Sequence, residues 1–162
     1  MKSICSWTVI ACLTVGCAVG DPPPDDRVDD APRHLLTTGA DGARVQAAAW
    51  ALAERAPLAD ADVDALQAGL DRAAAGGDAA ATRTIVWALS LRPDRFPIAQ
   101  AAGLAASHPD ARVRRSCVRG LAAHPADPAA RAAVTQVATA DLDVHNRREA
   151  AVLLRLMRQV SP

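Results

Sequence analysis

The 162-residue chain has no tyrosine and a single phenylalanine, and aromatic side chains of every kind make up 2% of it. That scarcity excludes a deep core assembled around bulky rings and favours thin layers of closely packed helices. A charge excess is missing too, since 18 basic residues balance 18 acidic ones. A generic nucleic-acid binder carries a clear positive surplus, so nucleic acid is not an expected partner. No glycine-rich phosphate loop and no nucleophile elbow occur, and no catalytic set is evident. The expectation is a non-enzymatic protein with no catalytic residues, no metal and no cofactor.

What the chain has in quantity is alanine, which supplies most of its 51% apolar content. Alanine is the best helix former, so an all-α chain is predicted outside the tracts rich in Pro and Asp. The charge balance conceals an asymmetry. Residues 21–30 hold five Asp and one Arg, whereas from Asp110 onward nine Arg face five acids. Solvated helix faces account for such arginines, and binding of an anionic polymer by the Arg-rich C-terminal half is an alternative.

Residues 1–17, MKSICSWTVIACLTVGC, read as an export signal. Lys2 forms a short positive start, and Ile4 to Val15 form an uncharged apolar stretch too short to span a bilayer permanently. Leu13-Thr14-Val15-Gly16-Cys17 resembles the lipobox of bacterial lipoproteins, which implies that Cys17 is lipidated and becomes the mature N-terminus. Val9-Ile10-Ala11-Cys12 also fits the pattern but leaves a shorter apolar stretch. Residues 18–37, opening AVGDPPPDDRVDDAPRH, are expected to be a disordered tether, too poor in bulky apolar groups to fold. Ala18 after the lipidated cysteine implies sorting toward the outer membrane or the periplasmic face. Cys5 and Cys12 leave with the signal, so Cys117 is left as a small core residue.

From residue 38 to 160 the chain repeats itself. Asp41, Asp78, Asp110 and Asp143 each precede a helical stretch, at spacings of 37, 32 and 33 residues. Leu52, Leu89, Leu121 and Leu154 close the blocks that follow at those same spacings, and two independent markers with one period argue for a repeat. Second starts are predicted at Asp60 or Asp62, at Asp94 and at Asp127-Pro128. Within Asp110–Leu121, the residues Val113, Cys117, Gly120 and Leu121 share one helical face, while Arg112, Arg115 and Arg119 gather on another.

This Asp110–Leu121 block resembles the short HEAT-like repeats of bacteria, the kind also found in phycobilin-lyase relatives. Asn146–Leu154 is a looser copy, with Asn146 standing where that family carries Val or Ile. The resemblance implies a right-handed α-α solenoid of about three and a half helix pairs over 38–160, ending in one unpaired helix. In that last helix Leu153, Leu154, Met157 and Val160 are expected to face inward. Val152 and Leu156 are expected either to fold back on the preceding pair or to form a docking edge.

Other clusters read as structural. His108-Pro109 and His124-Pro125 suit turns. His145 and Glu149 could make half a metal site, but no further ligands follow at zinc-like spacing. Asp60, Asp62, Asp64 and Asp71 imitate a calcium loop, yet Ala65 occupies the place that needs glycine, so they are read as helix caps. Trp50 and Trp87 hold equivalent places two residues before Leu52 and Leu89, in a ladder continued by Arg119 and Val152. They either pack between adjacent repeats or form an exposed stripe of the residue types enriched at binding hot spots. Trp50, Trp87, Arg112, Arg115 and Arg119 are therefore the candidate contacts for a protein partner. The expected function is a lipid-anchored scaffold for protein–protein interaction in the bacterial cell envelope. An accessory or lyase-like subunit, as the family resemblance allows, is the alternative.

Overall fold

The computed structural model describes residues 26–160 apart from Ala56, with side chains from Asp30 onward. Among these residues there are eight α-helices, one 3-10 turn at Pro93–Arg95 and no strand. The helices are α1 (Asp26–Thr38), α2 (Gly42–Glu54), α3 (Asp60–Ala75), α4 (Ala79–Ser90), α5 (Ile98–Ser107), α6 (Ala111–Ala122), α7 (Pro128–Ala140) and α8 (Val144–Val160). The all-α expectation holds.

The aspartates found by their spacing are N-caps. Asp41 accepts from Arg44 N, Asp78 from Ala81 N and Asp127 from Ala130 N, each close to 3 Å. Asp110 accepts from Arg112 N and Val113 N, and Asp143 from His145 N and Asn146 N. Each thereby satisfies amides that an α-helix leaves open in its first turn. Asp62 reaches back to Ala59 N at 2.9 Å at the start of α3. The start predicted at Asp94 is displaced. Residues 93–95 form the 3-10 turn, and α5 begins only at Ile98. Pro97 disfavours helical backbone at Phe96, which turns its ring into the core instead.

Packing corrects the pairing of helices. α1 packs on α2, α3 on α4, α5 on α6 and α7 on α8, while α2 touches α3 only marginally. The four close pairs are joined by three-residue turns: Gly39-Ala40-Asp41, Gly76-Gly77-Asp78, His108-Pro109-Asp110 and Asp141-Leu142-Asp143. Such turns reverse the chain at once, so the helices on either side become antiparallel neighbours. Gly39 and Gly77, at φ of 80° and 71°, supply the left-handed backbone that two of them use. The connections from α2 to α3, α4 to α5 and α6 to α7 are longer. The capping aspartates thus mark the middle of each hairpin and not its beginning. Hence α8 is not an unpaired helix.

The missing half of the first hairpin is α1, which overturns the expectation of a disordered tether over residues 26–37. Leu36 is fully buried, seated over Gly69, where an added Cβ would come within 2.8 Å of its Cδ2. Arg33 reaches Asp62 at 2.6 Å, and the Arg72 guanidinium donates to Leu36 O. Pro32 removes one helical hydrogen bond, but burial of Leu36 contributes roughly 2 kcal/mol. The rest of that tether, residues 18–25, and the signal with Cys17 lie outside the described residues.

Beyond the hairpins, α2, α4, α6 and α8 pack successively, as do α1 with α3 and α5 with α7. The core runs between these two rows through Leu52, Leu66, Leu70, Ile85, Leu89 and Leu121. Cys117 lies within it as expected, and burial pushes its thiol up to about 12. Val113 and Leu121 are buried on the same face, and Gly120 lies under the Phe96 ring, 2.3 Å from where its Cβ would stand. On α8, Met157 is buried, but Val152, Leu156 and Val160 are 46%, 52% and 68% exposed. Val160 therefore does not face inward, and the flank of Val152 and Leu156 does not fold back on the preceding helices.

Candidate interaction surface

The outward side of the even-numbered row carries the residues singled out by the tryptophan ladder. Gln46 and Trp50 are one turn apart on α2, and Arg83 and Trp87 one turn apart on α4, so each pair points the same way. The two indole centroids are 4.2 Å apart with the planes tilted 45°. The rings pack on each other across adjacent helices, yet Trp50 stays 46% and Trp87 37% exposed. Thr84 of α4 and Ser116 of α6 complete a cleft of about 270 Å³ beside them. Arg83 has no hydrogen-bond or ion-pair partner among the described residues. It also lines a neighbouring hollow with Ala79, Ala80, Asp110 and Arg112.

The three arginines expected beside the tryptophans have separate fates. Arg112 is exposed at the rim, near the Asp110 cap. Arg115 donates to Asn146 Oδ1 at 2.8 Å and lies 3.6 Å from both Asp143 and Glu149. Arg119 pairs with Glu149. Arg115 and Arg119 thus staple α6 to α8 through Asn146 and Glu149. Tryptophans, Arg83 and Arg112 make the surface; Arg115 and Arg119 border it. Sequence reasoning passed over Arg83, although its one-turn offset from Trp87 was a usable signal.

A second polar cluster was missed entirely. Arg114, one position from the stripe, is buried and grips Asp141 with two bonds of 2.8 Å from Nε and Nη2. Its remaining nitrogen donates to the carbonyls of His108 and Pro109. Asn146, 1% exposed, donates to Ala111 O and Asp141 Oδ2 while accepting from Arg115. The Arg114 guanidinium holds the Asp141 carboxyl down to about 2. Bonds from Arg114 and Asn146 to Asp141 and to the carbonyls of His108, Pro109 and Ala111 lock the turns of the third and fourth hairpins together. The hollow of about 220 Å³ beside it is the gap between those turns.

The acidic run of α3 is dispersed among partners. Asp60 and Asp64 pair with Arg92 and Arg95, Asp62 with Arg33, and Asp71 with Gln100. His108 is buried and accepts from Asp110 N through Nδ1, and His124 stacks on Phe96 at 5.4 Å, so both serve the turns they occupy. Comparison of the chain with protein-family models, curated proteins and solved structures gave no match.

Proposed function

We propose that this protein is a membrane-tethered, non-enzymatic interaction module: a HEAT-like, right-handed α-α solenoid that scaffolds a protein partner in the bacterial cell envelope. The solenoid reading is supported by close packing between helices one or two places apart and by four hairpins in series. The observation that carries the function is the half-exposed Trp50–Trp87 pair beside the unpartnered Arg83. Tryptophan and arginine are the side chains that dominate binding hot spots, because they bury large areas and still hydrogen-bond at their edges. Cys17 is the lipid attachment point in this reading, and it places the surface at a membrane.

Crosslinking in the envelope followed by co-purification tests it. Trp50→Ala with Trp87→Ala is expected to abolish capture of the partner while the helical circular dichroism is retained. Undiminished capture by the folded double variant overturns the reading. Metabolic labelling with a fatty acid is expected to mark the wild type and not Cys17→Ser.

A further inference from the structure

Away from the tryptophans, exposed chemistry concentrates on α8. Leu142, Val144, Val152, Leu156 and Val160 are five of the eight large apolar side chains left exposed among the described residues. Val152, Leu156 and Val160 follow one another at intervals of four, so they form one stripe along the helix. At 3.6 residues per turn, Arg148 and Arg155 fall about 40° and 60° from Val152, both on the same side of it. Neither guanidinium has a hydrogen-bond or ion-pair partner among the described residues.

Charge decides what covers the stripe. α8 packs mainly on α6 and α7, which contain no acid, and its own acid, Glu149, is held by Arg115 and Arg119. The other acids from Asp110 onward are engaged as well. Asp110, Asp127 and Asp143 cap helices, and Asp141 is bonded to Arg114. By contrast, the side chains of Arg112, Arg131, Arg148, Arg155 and Arg158 have no partner among the described residues. This end of the array therefore offers free cations and an apolar stripe together, and its complement is anionic and apolar.

An anionic polymer satisfies the arginines but leaves the stripe in water. Valine and leucine are scarce among the side chains that anchor protein partners. An anionic bilayer meets both needs, because acyl chains take the stripe while the long arginine stems carry their charges up to the headgroups. We infer that Val152, Leu156 and Val160 of α8 lie in the surface of an anionic lipid bilayer, with Arg148 and Arg155 on its headgroups. The helix lies along the surface, since no described helix is long and apolar enough to cross a membrane. Each arginine near such a surface raises partitioning about fivefold, so the pair contributes roughly 30-fold. The tryptophans stand on α2 and α4, and α6 separates α4 from α8, which leaves their cleft to a protein partner. The inference rests on the membrane-side location in the preceding reading and adds a second contact to it.

Hydroxyl-radical footprinting of the full-length protein on vesicles tests the idea, because oxidation reads side-chain exposure without an attached label. Vesicles of phosphatidylglycerol and phosphatidylcholine in equal parts are compared with phosphatidylcholine alone, at matched amounts of bound protein. Oxidation of Leu156 and Val160 is expected to fall about fivefold on the anionic vesicles, while Trp50 and Trp87 keep theirs. Arg148→Gln with Arg155→Gln, or about 0.5 M salt, is expected to return the stripe to its level on neutral vesicles. Equal oxidation on the two vesicles overturns the inference. So does equal protection by soluble polyglutamate, which marks a polymer site, or protection in detergent that rises with protein concentration, which marks a second copy. If the stripe stays oxidised while Cys17 still takes the fatty-acid label and capture still needs the tryptophans, the inference fails alone. Protection of the stripe with no label on Cys17 removes the lipid anchor and leaves the inference standing.

Discussion

Arg114 is a costly side chain to disturb. It is buried against Asp141 and two carbonyls, so truncating either charge leaves the other uncompensated, at about 3–5 kcal/mol. The same pair confers an acid sensitivity. Asp141 titrates at about 2 in the folded chain against an ordinary 3.8, so its contribution is present above about pH 4 and is lost as pH falls toward 2. That difference corresponds to roughly 2 kcal/mol. Asp141→Asn is expected to be less stable than wild type at pH 7, with the gap narrowing between pH 5 and pH 2 in denaturant titrations. A second prediction concerns Gly120. A methyl there meets the Phe96 ring at 2.3 Å, so Gly120→Ala is expected to cost about 1–3 kcal/mol, and pairing it with Phe96→Leu should recover part of the loss. A full cost in the double variant counts against this packing.

Among elements, α1 separates what composition suggests from what packing accomplishes. Residues 18–37 contain too few bulky groups to fold alone, and that arithmetic is sound for an isolated segment. It fails because Leu36 enters a slot already built by α2 and α3 over Gly69. Leu36→Ala is therefore expected to lower stability by about 2–4 kcal/mol in urea titrations, whereas a tether residue would change it by less than about 0.5. The hairpin pairing was partly legible in the sequence. The capping aspartates Asp41, Asp78, Asp110, Asp127 and Asp143 and the spacing of the leucines were readable, because caps and helical faces are local chemistry. The phase of the repeat was not taken from them, although four connections of three residues, each ending in Asp, carry that signal. Similarly, Arg83, Arg114 and Arg119 look alike along the chain. Only the neighbouring helix decides that Arg114 is buried, Arg119 paired and Arg83 without a partner.

At the scale of the whole molecule, successive hairpins are tied together by bonds between residues about thirty positions apart. Arg33–Asp62, Arg92–Asp60, Arg95–Asp64, Arg115–Asn146 and Arg119–Glu149 span 29–32 residues. With contacts limited to close neighbours, stability should fall from the middle of the row to its ends. α4 packs on α2, α3 and α6, and α6 on α4, α5, α7 and α8, whereas α1 packs mainly on α2 and α3. Native-state hydrogen exchange is expected to be slowest in α4 and α6 and fastest in α1 and the last turns of α8. Equal protection along all eight helices would contradict a nearest-neighbour array. Sequence alone determined that the chain is helical, where the capping aspartates lie and much of the buried face, since each depends on residues within a few positions of one another. Tertiary structure decided which helix pairs with which, that α1 belongs to the fold, and which of many arginines is free beside the tryptophans. Those outcomes depend on what lies across the interface, and residues about thirty apart in the chain meet only once the hairpins stack.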